Sequence, residues 1–242
     1  MRHILAAALL STAALAMPVR AATNLDALGS IGGQANFHLL SEDLGAVLSY
    51  KPLIPAEPLG VTGFDLGIEV SATELQNAAI FNAATSGGSV DTLYLTKLHV
   101  HKGLPFGIDI GASYVAVPDS NIKAWGTEVR YAVMKGGTAT PAVAVRGSYS
   151  ALDGVSQLRL TTTGLDVSIS KGFAMFTPYA GIGKVWVRST PDASIPTLAH
   201  DDFSLNKIFV GANLNLAVVN IAVEGDKTGG ATSLGIKFGW RF

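Results

Sequence analysis

Two histidines and a balanced set of acids and bases are the residues of this sequence with chemistry to offer. His99 and His101 stand two apart in Leu98-His99-Val100-His101-Lys102. In an extended strand that spacing puts both imidazoles on one face, where they could share a metal ion. No third ligand can be placed from the sequence and Lys102 adjoins the pair. The preferred reading is two exposed or luminal histidines near a turn, with no metal site assigned. The acids Asp65, Glu69, Asp109, Glu128, Asp166 and Glu224 and the bases Lys97, Arg130, Arg146, Lys207, Lys237 and Arg241 recur along the chain with nearly balanced signs. They read as a salt-bridged polar core, because charges taken out of water must be paired or hydrated. The functional alternative is a solute pathway lined by both signs. Serines abound, but no local motif singles one out as a nucleophile. The chain has no cysteine, and Gly181-Ile182-Gly183 lies in a strand pattern rather than a phosphate-binding loop. No catalytic residue and no cofactor is assigned.

The elements that must carry these residues have a period of two. Phe64, Leu66, Ile68 and Val70 alternate with Asp65, Gly67, Glu69 and Ser71; Phe106, Ile108, Ile110, Ala112 and Tyr114 alternate with Gly107, Asp109, Gly111 and Ser113. Trp125, Val129 and Tyr131 oppose Glu128 and Arg130, and Leu165, Val167 and Ile169 oppose Asp166 and Ser168. This is the pattern of strands with two unlike faces. It is less clean over Thr92–Lys102, Thr177–Arg188 and Asp202–Leu216. Short turns at 102–105, 135–140, 171–172 and 216–219 interleave with connections that include longer, more polar ones at 76–90, 151–157 and 189–201. Counting from Thr62 gives ten antiparallel strands, twelve if residues 24–51 add two. Phe37, Leu40, Leu44 and Val47 instead recur at helical spacing. The preferred reading is therefore ten strands and a short N-terminal helix, with Ser41, Glu42 and Asp43 facing away, joined by the proline-rich stretch 52–58 as linker.

Composition decides which face meets which solvent. Charged residues make up 14% of the 242 residues and hydrophobic ones 48%, with a formal net charge of -1; an ordinary soluble domain carries roughly 25% charge. There is no basic excess to suggest nucleic acid. No apolar run beyond the N-terminus is long enough for a membrane-spanning helix. Arg2 and His3, the apolar run Ile4–Leu15, Pro18 and Val19-Arg20-Ala21 read as a secretory leader over residues 1–21, with cleavage after Ala21 or, second, after Ala16. The expected division is a leader at 1–21, a helix and linker segment at 22–61 and a barrel at 62–242.

The end of the sequence carries a resemblance. Leu234, Ile236, Phe238, Trp240 and Phe242 share one face, opposite Ser233, Gly235, Lys237, Gly239 and Arg241. This resembles the C-terminal assembly signal of Gram-negative outer-membrane β-barrels, an amphipathic last strand ending in Phe, with Phe238, Trp240 and Phe242 as the residues read. The resemblance implies an all-β antiparallel transmembrane barrel in the cell outer membrane. Its implied partners are outer-membrane lipid, periplasmic chaperones and the barrel-insertion machinery. Two function classes follow: a structural barrel or one that transports or binds a small solute, and an outer-membrane enzyme acting on lipid. His99 and His101 lie at the periplasmic turn near Gly103, the wrong end for most such enzymes. A porin's open channel usually needs a wider barrel.

Overall fold

The computed structural model describes residues 24–85 and 89–242; the expected leader at 1–21 and its expected cleavage positions lie outside the described residues. Ten strands form a closed barrel: β1 Phe64–Glu74, β2 Thr92–Gly103, β3 Ile108–Ala116, β4 Lys123–Lys135, β5 Ala142–Asp153, β6 Leu158–Ser170, β7 Phe176–Pro191, β8 Asp201–Leu216, β9 Val219–Thr228 and β10 Ala231–Arg241. Each pairs antiparallel with its sequence neighbours, and β10 returns to β1 from Asp65↔Arg241 to Glu74↔Thr232. Closure leaves no free sheet edge, so the strands' backbone groups are satisfied within the wall. Among the described residues no helix is long and apolar enough to cross a bilayer.

Alternation along each strand sorts side chains by face. Ile68 is 51% exposed, Ile182 64% and Val210 64%, while Glu69, Lys237 and Arg130 between them are at most 1% exposed. The barrel is thus apolar outside and keeps these charges inside, the arrangement of a transmembrane barrel. One strand starts later than the alternation suggests. The alternation predicts Phe106 and Gly107 as the first residues of a strand. They belong instead to a turn after Pro105, with φ of 66° and 80°, and β3 begins at Ile108. Pro105 fixes its own φ and has no N–H to give to a ladder, which ends the pairing there.

The helix α1 spans Gln34–Leu48, and Phe37, Leu40 and Leu44 are fully buried in it. Ser41 and Asp43 do not face away as their side of the helix suggested; they are 0% and 2% exposed. The reason is position. The helix enters the barrel, so its second half has walls on every side, while Glu42 does face away and keeps 37% of its side chain exposed. Ser41 Oγ donates to Ser189 Oγ at 2.8 Å, and the Asp43 carboxylate accepts the amides of Gln76 at 3.0 Å and Asn77 at 2.7 Å. Burial pushes the Asp43 carboxyl above its usual range, against the opposing pull of those amides. Gly45 permits the closest approach to the wall: a β-carbon there would lie 2.6 Å from Val187 Cγ2.

The course of the chain explains the three irregular segments. Residues 24–33 lie at one rim, where the Leu25 amide donates to Asn121 Oδ1 and the Leu28 amide to Gln157 Oε1. A second helix, α2 (Ala78–Ala83), sits in the β1–β2 connection at the same rim. From there α1 enters the lumen, and the proline-rich stretch runs on inside the barrel to the opposite rim, where β1 begins beside Phe242. Residues 50–56 are buried, so this stretch is filling as well as linker. Beside α1 the inward side chains are apolar: Leu93 and Leu95 on β2, Val185 and Val187 on β7, Leu205 on β8. Farther along the same strands the inward side chains become Lys97, His99 and His101 on β2 and Lys207 on β8. β2 and β8 face the helix for part of their length and ions for the rest, and β7 passes from Val185 and Val187 beside the helix to Tyr179 and Thr177, so none of the three alternates cleanly.

Candidate functional site

The charged half of the lumen is a nearly continuous belt of ion pairs and histidine–carboxylate contacts. β1 supplies Asp65 and Glu69, flanked by β10 and β2 in the register Glu69↔Lys237 and Glu69↔Lys97. Lys97 Nζ reaches Glu69 Oε1 at 2.9 Å and His99 Nε2 reaches Glu69 Oε2 at 2.6 Å. Lys237 Nζ and Arg241 Nη2 bind opposite oxygens of Asp65 at 2.8 and 2.7 Å. His101 lies between Asp65 at 3.8 Å and Glu128 at 3.5 Å, which places it between the β1 and β4 parts of the belt. Arg146 on β5 stands 3.5 Å from Glu128 and 3.0 Å from Asp166 on β6; Lys207 on β8 lies 3.7 Å from the same Asp166 oxygen. Asp109 and Arg130 form their own pair at 2.5 Å nearer the β1 rim. On β9, Glu224 accepts the Tyr179 hydroxyl at 2.9 Å. All the acids and bases read from the sequence therefore point inward, with Arg241 the one that keeps partial exposure, 20% of its side chain.

The N-terminal segment is bonded into this belt. Lys207 Nζ donates to the Tyr50 carbonyl at 2.6 Å, and Arg130 donates to the carbonyls of Pro55 and Glu57. The Leu59 amide donates to Asp109 Oδ1 at 3.1 Å. Lys51 caps the end of α1 through the Ala46 carbonyl at 2.6 Å and faces Asp226 at 3.7 Å. The Tyr50 ring fills the space that Gly126 leaves on the wall; a β-carbon on that glycine would lie 2.9 Å from the ring. The cavity that remains beside Tyr50 and Lys51 is about 10 Å³, at the lower limit for a single water.

Sequence reasoning missed Lys51, Tyr50, Asp226 and Tyr179 as members of the belt. Asp226 was within reach, since it follows Glu224 by two and must share its face. Lys51 and Tyr50 carried no such signal, because nothing in the alternation of the strands says what lies between them. His99 and His101 stack with ring centroids 5.8 Å apart, and each is turned to carboxylates. Among the described residues no group of three or more His, Asp or Glu is placed to hold a metal ion. The side chains of Phe238, Trp240 and Phe242 lie on the exterior, 46%, 48% and 64% exposed.

No protein-family model and no curated protein matches the sequence. Among solved structures, the N-terminal β-barrel domain of Pseudomonas aeruginosa OprF is 14% identical over 73% of this chain and 97% of its own, with a TM-score of 0.36. The outer membrane protein OprG from Pseudomonas aeruginosa is 12% identical over 78% of this chain and 99% of its own, at 0.35. Neisserial surface protein A is 10% identical over 74% and 95%, at 0.31. Leu66, Ile68, Leu98, Val129, Leu165, Ile208 and Ile236 are all exposed on the exterior. An apolar band of that size is stable against hydrocarbon and costly in water.

Proposed function

We propose that this chain is a Gram-negative outer-membrane barrel whose lumen is closed by its own N-terminal segment. Its resting role is structural, stabilising the envelope, and its narrow interior is a shut solute path. The observation that carries this reading is the passage of residues 34–59 through the lumen, with main-chain carbonyls held by Lys207 and Arg130. A ten-stranded wall leaves space of the order that side chains and one segment can fill, whereas open aqueous channels belong to barrels of roughly 16 or more strands. In planar bilayers the purified chain should show no steady open level; a stable, well-resolved open conductance would contradict the closed lumen.

The aromatic face of β10 fits a role in assembly. Phe238, Trp240 and Phe242 stand on the outside of the closing strand, where their side chains stay exposed. Removing Phe242, or placing a charge there, should reduce the amount of heat-modifiable, membrane-inserted protein several-fold while secretion continues. Equal insertion of the variant, scored by gel shift, would show that recognition lies elsewhere.

A further inference from the structure

The exterior of the barrel is not a uniform apolar band. From β5 to the start of β10 it holds a groove of about 710 Å³ lined by Val143, Val167, Ile182, Ile208 and Val210, with Lys227 and Thr232 at its edge. Register makes this one continuous surface. Val167, Ile182, Ile208, Lys227 and Thr232 lie opposite one another on successive strands. One outward position farther toward the loop rim stands Lys184, between Leu165 and Asn206. Beyond that comes a row of Tyr149, Thr163, Trp186 and Ser204. This row forms a second hollow of about 560 Å³ together with Arg188 and Asp202.

Each step of this surface suits a different part of one ligand. The groove is apolar and open to the side, as an acyl chain requires. Lys184 and Lys227 are exposed at its upper border, and neither has an ion-pair or hydrogen-bond partner among the described residues. A lysine stem beside hydrocarbon extends its ammonium toward the headgroup level, where an unpartnered cation is best satisfied by phosphate. Above them, the indole of Trp186 and the phenol of Tyr149, set among threonine, serine, arginine and aspartate side chains, offer a flat apolar platform with hydrogen-bonding groups around it. That is the chemistry that stacks on and grips a sugar ring. Plain phospholipid would use the groove and the lysines but leave the upper hollow without a role.

We infer that this face, from β5 to the start of β10, is a binding site for a phosphorylated glycolipid of the outer leaflet. Acyl chains occupy the groove, phosphate lies on Lys184 and Lys227, and sugar packs on Trp186. The inference rests on the outer-membrane reading proposed above. Cell fractionation reports that reading alone, whereas binding to the folded full chain in detergent reports the site alone, so the two can fail separately.

The test is the affinity of the folded protein for phosphorylated lipid A, dephosphorylated lipid A and phosphatidylglycerol. The wild type should bind phosphorylated lipid A most tightly. The K184Q/K227Q double variant should weaken that binding by roughly 10- to 30-fold, the worth of two interfacial lysines on an anionic headgroup, and leave the dephosphorylated form nearly unaffected. Trp186→Ala should weaken both forms of lipid A and not phosphatidylglycerol. Lys123→Gln, an exposed outward lysine on β4 away from the groove, should change nothing. The single variants K184Q and K227Q serve if the double variant does not fold. Equal binding of phosphatidylglycerol, an equal loss from Lys123→Gln, or no loss in the lysine variants would overturn the site.

Discussion

Replacing Glu69 by alanine should destabilise the barrel by on the order of 3–5 kcal/mol, the cost of leaving a buried charge without its partner. Glu69 is fully buried between Lys97 at 2.9 Å and His99 at 2.6 Å. Lys97 is itself 4% exposed, so the ammonium left behind has no water to turn to. The pair is a poor source of net stability even so, because both charges were desolvated to make it. The double variant E69L/K97M removes both ions and leaves packable side chains. It should recover at least half of the loss seen for the single variant, measured by urea unfolding of the protein in lipid vesicles. A single-variant cost below about 1 kcal/mol would be the range of solvent-exposed pairs and would mean that the lumen is wet.

Ile68→Arg should cost about 2–4 kcal/mol in a bilayer, the penalty for a cation on the lipid face near midplane. Ile68 sits midway along β1, with outward Phe238 and Leu98 opposite it on the two neighbouring strands. Nothing anionic faces it there, and the guanidinium must reach across apolar neighbours to find a headgroup. Glu74→Arg, on the same outward stripe at the end of β1, should cost no more than about 1 kcal/mol at interfacial depth. Refolding into vesicles and comparing unfolding free energies separates the two. Equal costs at both positions would argue that depth does not matter and that the exterior does not face hydrocarbon.

Much of this architecture is legible in the residues, and the part that is not has a physical reason. Two-residue alternation exposes which side chains share a face, so the inward position of Asp65, Glu69 and Arg146 follows from sequence. The period of Phe37, Leu40, Leu44 and Val47 reveals a helix. It does not reveal that the helix is inside the barrel, because a helix buried on one face and a helix buried all round differ only in what surrounds them. Ser41 and Asp43 show the difference. As polar residues on the side away from the apolar stripe they read as solvated, yet each is buried and satisfied by a partner far along the chain, Ser189 and the Gln76–Asn77 turn. The same limit hid Lys51. Its partners, the end of α1 and Asp226, meet only once the chain has been threaded through the lumen.

An inside-out barrel, apolar toward lipid and closed within, makes opposite demands on its two faces, and single cysteines in this cysteine-free chain report both. Cysteine at Ile182 or Val210, each 64% exposed on the exterior, should carry a fluorophore that a lipid-phase quencher reaches. Cysteine at Ser148 or Ser168, 9% and 6% exposed on the inward face, should resist both the quencher and water-soluble thiol reagents while the protein is folded. Free aqueous labelling at Ile182 and Val210 would contradict the membrane face, and free aqueous labelling at Ser148 and Ser168 would contradict the sealed lumen.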